Sequence, residues 1–109
     1  MRVWVDANPS ATAFVTESGK TGYYQLPMIP METNNTAEYK AILNALAYAP
    51  DVTEIISDSQ LVINQLNRKY HIKEEHLRKL ALEVWELSQG KVKFTWVKRD
   101  DNLAGKMLK

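Results

Sequence analysis

The stretch IISDSQLV (residues 55–62) decides how this chain folds. Its two isoleucines belong to a segment, residues 52–57, that ends just before Asp58 and predicts a buried strand. Ser59 follows at once, and its hydroxyl suits the N-cap of a helix that carries the apolar side chains of residues 61–66. A buried strand that passes directly into a helix is typical of an α/β sheet.

Upstream of this stretch, the pattern predicts three strands and a helix. Residues 3–5 form a short apolar strand. Strands over residues 11–17 and 21–26 enclose a glycine turn and therefore predict a hairpin. Apolar residues at helical spacing begin near residue 34, and Pro50 closes that helix.

Downstream, the pattern alternates again. A clean helical stripe covers residues 74–87, a final strand covers residues 92–97, and residues 103–109 form a short terminal helix. The order is then βββαβαβα. It predicts a mixed α/β fold, a five-stranded mixed sheet with helices on both faces, in a single domain over residues 1–109.

The composition excludes several classes of protein. The 109 residues are 45% hydrophobic, which is enough for one core, and the net charge is only +1, so a nucleic-acid site must come from local clusters of Lys and Arg. The chain contains no cysteine, which excludes disulfides, thiolate zinc sites and cysteine nucleophiles. The first residues lack the apolar run of a signal peptide, and no apolar stretch is long enough to span a membrane. We expect a cytoplasmic protein.

Three carboxylates occupy positions that need an explanation. Asp6 and Asp58 each stand where an apolar strand runs out, and the carboxyl ends of strands are where ligand sites form in α/β sheets. Glu38 lies one turn before Ile42 on an apolar helix stripe, where an uncompensated charge is costly. Because the first and fourth strands are expected to be neighbours, the three acids would converge, and oxygen ligands suit Mg²⁺ or Mn²⁺. As alternatives, Asp6 and Asp58 are turn or N-cap residues, and Glu38 is a first-turn acid favoured by the helix dipole.

The segments around these acids resemble the type I ribonuclease H family. The similar motifs, in the order of the family, are VWVD (residues 3–6), TNNTAEY (33–39), IISDSQLV (55–62) and FTWVKRDDN (94–102). The resemblance covers nearly the whole chain. It implies the same βββαβαβα fold and hydrolysis of the RNA strand of an RNA–DNA hybrid, aided by Mg²⁺ or Mn²⁺.

The resemblance also implies roles for single residues. Asp6, Glu38 and Asp58 correspond to the metal ligands of the family, and Thr33 to its pocket for a DNA phosphate. Amide side chains both donate and accept hydrogen bonds, so they suit the 2′-hydroxyls and base edges of a hybrid. The amides predicted to contact substrate are Asn34, Asn35 and Gln60 in the minor groove, with Asn8 and Asn102 as further contacts.

The chain departs from the family at its end. Lys106 stands where the family carries a fourth metal-binding Asp. Three interpretations are open: Lys106 supplies the positive charge of a second metal, Asp100 or Asp101 swings in as the missing ligand, or the site is inactive and the domain only binds hybrids. A solvated lysine on a terminal helix is the alternative without function.

Two further features concern the final strand and the aromatic residues. The family's usual loop histidine is absent, and Arg99 is the candidate substitute that assists the attacking water or product release. The aromatic residues of strands and helices are predicted to belong to the core, namely Trp4, Trp85, Phe94 and Trp96.

Three functions compete at this point. The first is a metal-dependent endonuclease acting on RNA–DNA hybrids, with catalytic residues Asp6, Glu38, Asp58, Arg99 and Lys106. The second is a catalytically impaired hybrid-binding domain. The third is a ribonuclease H-like module of a larger polymerase- or integrase-type assembly. The expected partner is the hybrid itself, with no membrane and no protein partner, and the protein is expected to be a monomer.

Overall fold

A five-stranded sheet with the strand order β3-β2-β1-β4-β5 forms the centre of the protein. The structure is a computed structural model that describes residues 1–30 and 32–108. The strands are β1 (Arg2–Asn8), β2 (Ala11–Thr16), β3 (Thr21–Gln25), β4 (Glu54–Ser57) and β5 (Lys93–Trp96). β1, β2 and β3 pair antiparallel, whereas β4 pairs parallel with both β1 and β5. The predicted mixed sheet is therefore confirmed, including the neighbourhood of the first and fourth strands.

Three α-helices connect and cover the strands. They are α1 (Asn34–Tyr48), α2 (Gln60–Leu66) and α3 (Glu75–Ser88), and two short 3-10 helices follow, Arg99–Asp101 and Leu103–Leu108. The predicted order holds with two refinements: α2 and α3 together form the crossover between the parallel strands β4 and β5, and the terminal helix is of the 3-10 type. The predicted end of that helix at Lys109 lies outside the described residues.

The two faces of the sheet are covered differently. α1 packs on β1 and β2, and α3 packs on α1, while the 3-10 helix Leu103–Leu108 contacts the same two strands. Because side chains alternate along a strand, Val3 and Val5 of β1 point into the core and Asp6 points the other way. The largest fully buried apolar side chains are Val3, Val5, Phe14, Tyr39, Ile42, Ile55, Val62 and Val84.

Two glycines allow the hairpin of β2 and β3 to close. Gly19 adopts a φ of +91° in the turn, a backbone conformation that residues other than glycine rarely adopt. Gly22 faces the ring of Phe14, and a Cβ atom at Gly22 would lie 2.3 Å from Phe14 Cε2. The ring of Phe14 therefore fills the space that a side chain at Gly22 would need.

Two sequence predictions differ from the structure. β1 does not stop at Asp6 but continues to Asn8, because the antiparallel partner β2 pairs with it as far as Ala11. Trp96 is not a core residue, since it is 46% exposed on the edge strand β5.

Among the described residues, no helix is long and apolar enough to cross a membrane.

Candidate active site

Strand register brings two of the three acids to the same level of the sheet. In the parallel pair of β1 and β4, Trp4 lies opposite Ile56. Two residues further along both strands are Asp6 and Asp58, and neighbouring strands lie about 4.8 Å apart. The sheet therefore places these carboxylates side by side near the carboxyl ends of the two central strands.

Glu38 is directed toward the same end of the sheet by α1. Thr33 caps this helix, and its hydroxyl accepts a 3.2 Å hydrogen bond from the amide of Thr36. Glu38 follows one turn later and is only 4% exposed. The hydroxyl of Ser57, the last residue of β4, donates a 2.6 Å hydrogen bond to Glu38 Oε1. This bond connects α1 to the strand that immediately precedes Asp58.

Two of the three acids, Asp6 and Glu38, have a raised pKa. Burial raises the pKa of Glu38 to about 8, and the charges of Asp6 and Asp58 add to this rise, whereas hydrogen bonds from Ser57 and the amide of Ala7 oppose it. The pKa of Asp6 is also raised, first by burial and then by the charge of Asp58. Asp58 Oδ2 is itself buried without a hydrogen-bond partner among the described residues. An excess of negative charge with an unsatisfied oxygen is the property of a site that attracts cations.

A cavity of about 310 Å³ opens beside Asp6. Both cationic residues singled out in the sequence line it, Arg99 and Lys106. The charge of Arg99 favours the ionised form of Asp6 and partly offsets the rise of its pKa. The backbone approaches closely here, because a Cβ atom at Gly105 would lie 3.3 Å from Asp6 Oδ2. The C-terminal 3-10 helix thus carries Lys106 to the rim of the acidic site.

The cavity also bears on the interpretations of the missing fourth acid. Asp100 lines it together with Asp6, and Asp101 is not among its lining residues. Lys106 is exposed and lines the same cavity. The lysine is therefore placed where its ammonium group can act on an anion bound next to Asp6.

Asn102 is buried, and both ends of its side-chain amide are hydrogen-bonded inside the protein. It is only 2% exposed, its Nδ2 donates to the carbonyl of Val5 at 2.8 Å, and its Oδ1 accepts from the amide of Ala104 at 3.1 Å. Asn102 also lines the cavity beside Asp6, and its contact with substrate stays a prediction.

The other predicted substrate contacts lie on exposed ends of secondary structure. Asn34 is the exposed first residue of α1 and Asn35 follows it, half-buried, while Gln60 is the exposed first residue of α2. Thr33 is exposed at the cap of α1. Asn8 lines the cavity beside Asp6, and its Oδ1 accepts from the amides of the following turn. None of these side chains belongs to the core.

Two residues near the acids were missed by the sequence interpretation. Ser57 was read only as part of a strand, yet its hydroxyl contacts Glu38. Trp96 was assigned to the core, yet its indole N–H donates to the carbonyl of Asp58 at 3.2 Å with the ring partly exposed. Neither contact has a local signal in the sequence, because each joins elements that are distant along the chain.

The three acids are of the chemical type that binds a divalent cation, but their side chains are not arranged as a metal site in this structure. Carboxylate oxygens are the ligands that Mg²⁺ prefers, and Asp58 Oδ2 is unsatisfied. Among residues 1–30 and 32–108, however, no group of three His, Cys, Asp or Glu side chains is placed to hold a metal ion. Binding by all three acids would therefore need at least one carboxylate to change its rotamer.

Comparison with known families identifies the class of protein. A family profile described as reverse transcriptase-like matches residues 8–108. The chain belongs to this family, and its sheet and helices have the ribonuclease H-like arrangement that the motifs predicted. A search of curated proteins finds no match.

Several solved structures of ribonucleases H have the same fold. Ribonuclease H1 of the halophilic archaeon Halobacterium salinarum is 28% identical with a TM-score of 0.78, over 98% of this chain and 92% of that one. The N-terminal ribonuclease H domain of a Mycobacterium tuberculosis protein is 23% identical with a TM-score of 0.76, over 98% and 93% of the two chains. LC11 ribonuclease H1, solved in complex with an RNA/DNA hybrid, is 20% identical with a TM-score of 0.79, over 96% and 91%. The resemblance to type I ribonuclease H is thus confirmed.

Proposed function

We propose that this domain is a metal-dependent endonuclease that hydrolyses the RNA strand of RNA–DNA hybrids. The observation that carries the proposal is the group of Asp6, Glu38 and Asp58 near the carboxyl ends of β1 and β4, where the charge of Asp58 helps to raise the pKa of both Asp6 and Glu38. The likeness to a ribonuclease H1 solved with an RNA/DNA hybrid supports the choice of substrate.

Asp6, Glu38 and Asp58 would hold Mg²⁺ or Mn²⁺. When bound, the ion supplies positive charge that activates water and neutralises charge on the scissile phosphate. Asp58 offers an unsatisfied oxygen for this purpose, and the hydroxyl of Ser57 fixes the carboxylate of Glu38. The acids thus bring the negative charge that concentrates a cation at this end of the sheet.

Lys106 and Arg99 would supply positive charge of the protein itself beside these acids. Both line the cavity next to Asp6. A fixed cation that is already in place when negative charge develops on a phosphate stabilises the transition state without reorganisation. We propose that Lys106 takes over charge stabilisation from the absent fourth acid and its metal, and that Arg99 assists the attacking water or the departure of product.

The exposed amides would provide the recognition of RNA. Asn34, Asn35 and Gln60 stand at the first turns of α1 and α2. Amide groups can both donate to and accept from a 2′-hydroxyl, which is the group that distinguishes RNA from DNA. Thr33 at the cap of α1 and Asn8 at the cavity are the proposed contacts to the flanking backbone.

Cleavage of a hybrid with a labelled RNA strand tests the proposal. The protein is incubated with Mg²⁺, with Mn²⁺ and with chelator, beside Asp58→Asn and the control Asp51→Asn, which changes an exposed acid just before β4, at the far end from Asp58. We expect cleavage that needs metal, persists in Asp51→Asn and disappears in Asp58→Asn. Equal cleavage of single-stranded RNA would contradict hybrid specificity.

A second function is favoured by one observation. Lys106 lies beside Asp6 at the place of a metal-binding acid, and a fixed cation there repels a second metal ion. The domain would then bind hybrids without cutting them. Hybrid binding by the unaltered protein, with no cleavage in either metal, would select this function over the first.

A further inference from the structure

Glu32 is a half-buried residue just before the start of α1, and its carboxylate packs against the first turns of that helix. Its side chain is only 2% exposed, and its Oε1 lies 2.6 Å from the ammonium group of Lys40, two turns along the helix. Its other oxygen accepts a hydrogen bond from the hydroxyl of Thr36. Burying a charged group is costly unless it is paired and hydrogen-bonded, and Glu32 meets both conditions.

The contacts of Glu32 lead directly to the cap of α1. The hydroxyl of Thr36 accepts a 2.8 Å hydrogen bond from the amide of Thr33, and the hydroxyl of Thr33 accepts from the amide of Thr36. In the usual capping box, a Glu or Gln at the third helical position closes this loop. Here Thr36 holds that position, and Glu32 supplies the acid from outside the helix.

The ion pair between Glu32 and Lys40 is stable at neutral pH. Burial alone would raise the pKa of Glu32, but the hydrogen bonds from Lys40 and Thr36 outweigh it and leave the pKa below its ordinary value. The carboxylate therefore stays charged at neutral pH. The charged carboxylate of Glu32 binds both Thr36 and Lys40, and these contacts fix the orientation of the first turn of α1.

We propose that Glu32 is a positioning residue that holds Thr33, Asn34 and Asn35 in the orientation needed to contact the hybrid. The proposal rests on the proposed function, since these three residues are its predicted substrate contacts. Glu32 does not touch substrate itself and acts through Thr36 and Lys40. Loss of its charge would loosen the first turn of α1 while leaving the carboxylates Asp6 and Asp58 in place.

Hybrid affinity in the inactive Asp58→Asn background gives a measurement that does not depend on cleavage. Fluorescence anisotropy with a labelled hybrid is compared for Glu32→Gln and for Thr36→Val, which removes the hydroxyl between Glu32 and the cap. Glu83→Gln is the matched control. Glu83 belongs to α3 and lines a surface cavity together with Glu32 and Lys40. We expect Kd to rise about tenfold in Glu32→Gln and Thr36→Val and to stay unchanged in Glu83→Gln.

A second measurement separates positioning from simple stabilisation. In the active protein, Glu32→Gln should raise KM for the hybrid about tenfold and leave kcat within about twofold, since the reacting groups are untouched. A lower Tm with unchanged Kd and KM would overturn the positioning role and leave Glu32 as a stabilising cap. Absence of hybrid binding by the unaltered protein would overturn the proposed function, and the role of Glu32 with it.

Discussion

The side-chain amide of Asn102 donates a 2.8 Å hydrogen bond to the carbonyl oxygen of Val5, a residue 97 positions earlier in the chain. This bond joins the C-terminal segment to the central strand β1 immediately before Asp6. The same segment carries Arg99 and Lys106 to the cavity. This buried amide is therefore one of the contacts that hold the basic groups of the site next to its acidic groups.

Asn102→Ala is expected to weaken both the fold and the site. The carbonyl of Val5 would lose its buried partner, which costs about 1–3 kcal/mol in the free energy of unfolding. Because Lys106 and Arg99 would no longer be held beside Asp6, cleavage should fall by more than the loss of folded protein explains. Urea denaturation and kcat/KM of the folded fraction are the measurements.

Asn67→Ala is the matched control for this variant. Asn67 also donates from its side-chain amide to a strand carbonyl, that of Phe94, at 3.0 Å. It lines a different cavity, away from the acids. Its loss should reduce stability and leave kcat/KM of the folded protein unchanged. An equal loss of activity in both variants would show that Asn102 acts only through stability.

The sheet and its helices were predictable because their apolar spacing is local information. The buried strand before Asp58 and the cap at Ser59 follow directly from the sequence and are confirmed. The extent of β1 was not predictable, since its last residues are fixed by pairing with β2. The exposure of Trp96 depends on β5 being an edge strand, which alternation along the chain does not reveal.

In the candidate site, too, local features were predictable from the sequence and contacts between distant segments were not. Asp6, Glu38 and Asp58 were identified by strand ends, an acid on an apolar stripe and the motifs around them. The bond from Ser57 to Glu38 joins β4 to α1, and no local pattern in the sequence indicates such a contact. The internal role of Asn102 was missed for the same physical reason, because its partner Val5 lies at the other end of the chain.

Glu38 makes the stability of the metal-free protein depend on pH. Its pKa is about 8 in the folded protein against an ordinary glutamate value of 4.5, so between these pH values the folded state keeps a proton that the unfolded state releases. A raised carboxyl pKa therefore stabilises the protein at low pH, and that contribution is lost as pH rises from about 4.5 to about 8. The free energy of unfolding should fall with a slope of at most about 1.4 kcal/mol per pH unit for this proton.

Glu38→Gln provides the control for the pH dependence. An amide cannot ionise, so the variant should lose most of this slope in metal-free denaturation between pH 5 and 8. Asp6, whose pKa is also raised, would contribute in the same direction. A flat profile for the unaltered protein, or an unchanged slope in Glu38→Gln, would show that Glu38 is ionised throughout this range.

Gly22→Ala should destabilise the hairpin through one identified contact. The added methyl group would lie 2.3 Å from Phe14 Cε2 and would force the buried ring to move. Overpacking of this kind costs about 1–3 kcal/mol. The double variant Gly22→Ala/Phe14→Leu should recover part of the loss, as a double-mutant cycle measures. Strict additivity of the two single variants would rule out this contact as the cause.

Lys106 decides between the two proposed functions. If its ammonium group stabilises negative charge that develops on the scissile phosphate, Lys106→Ala should lower kcat about 100-fold with little change in KM. Lys91→Ala, an exposed lysine before β5 at the far end from the acids, should have no effect.

Lys106→Asp restores the acid that the family carries at this position and tests the opposite idea. If Lys106 merely excludes a second metal ion, both Lys106→Asp and Lys106→Ala should cleave faster than the unaltered protein. If Lys106 takes part in catalysis, Lys106→Ala is slow, and Lys106→Asp regains activity only at higher Mg²⁺ concentration, because a metal ion must now supply the missing charge. Rates measured across a Mg²⁺ titration for the three proteins therefore separate a catalytic lysine from a blocking one.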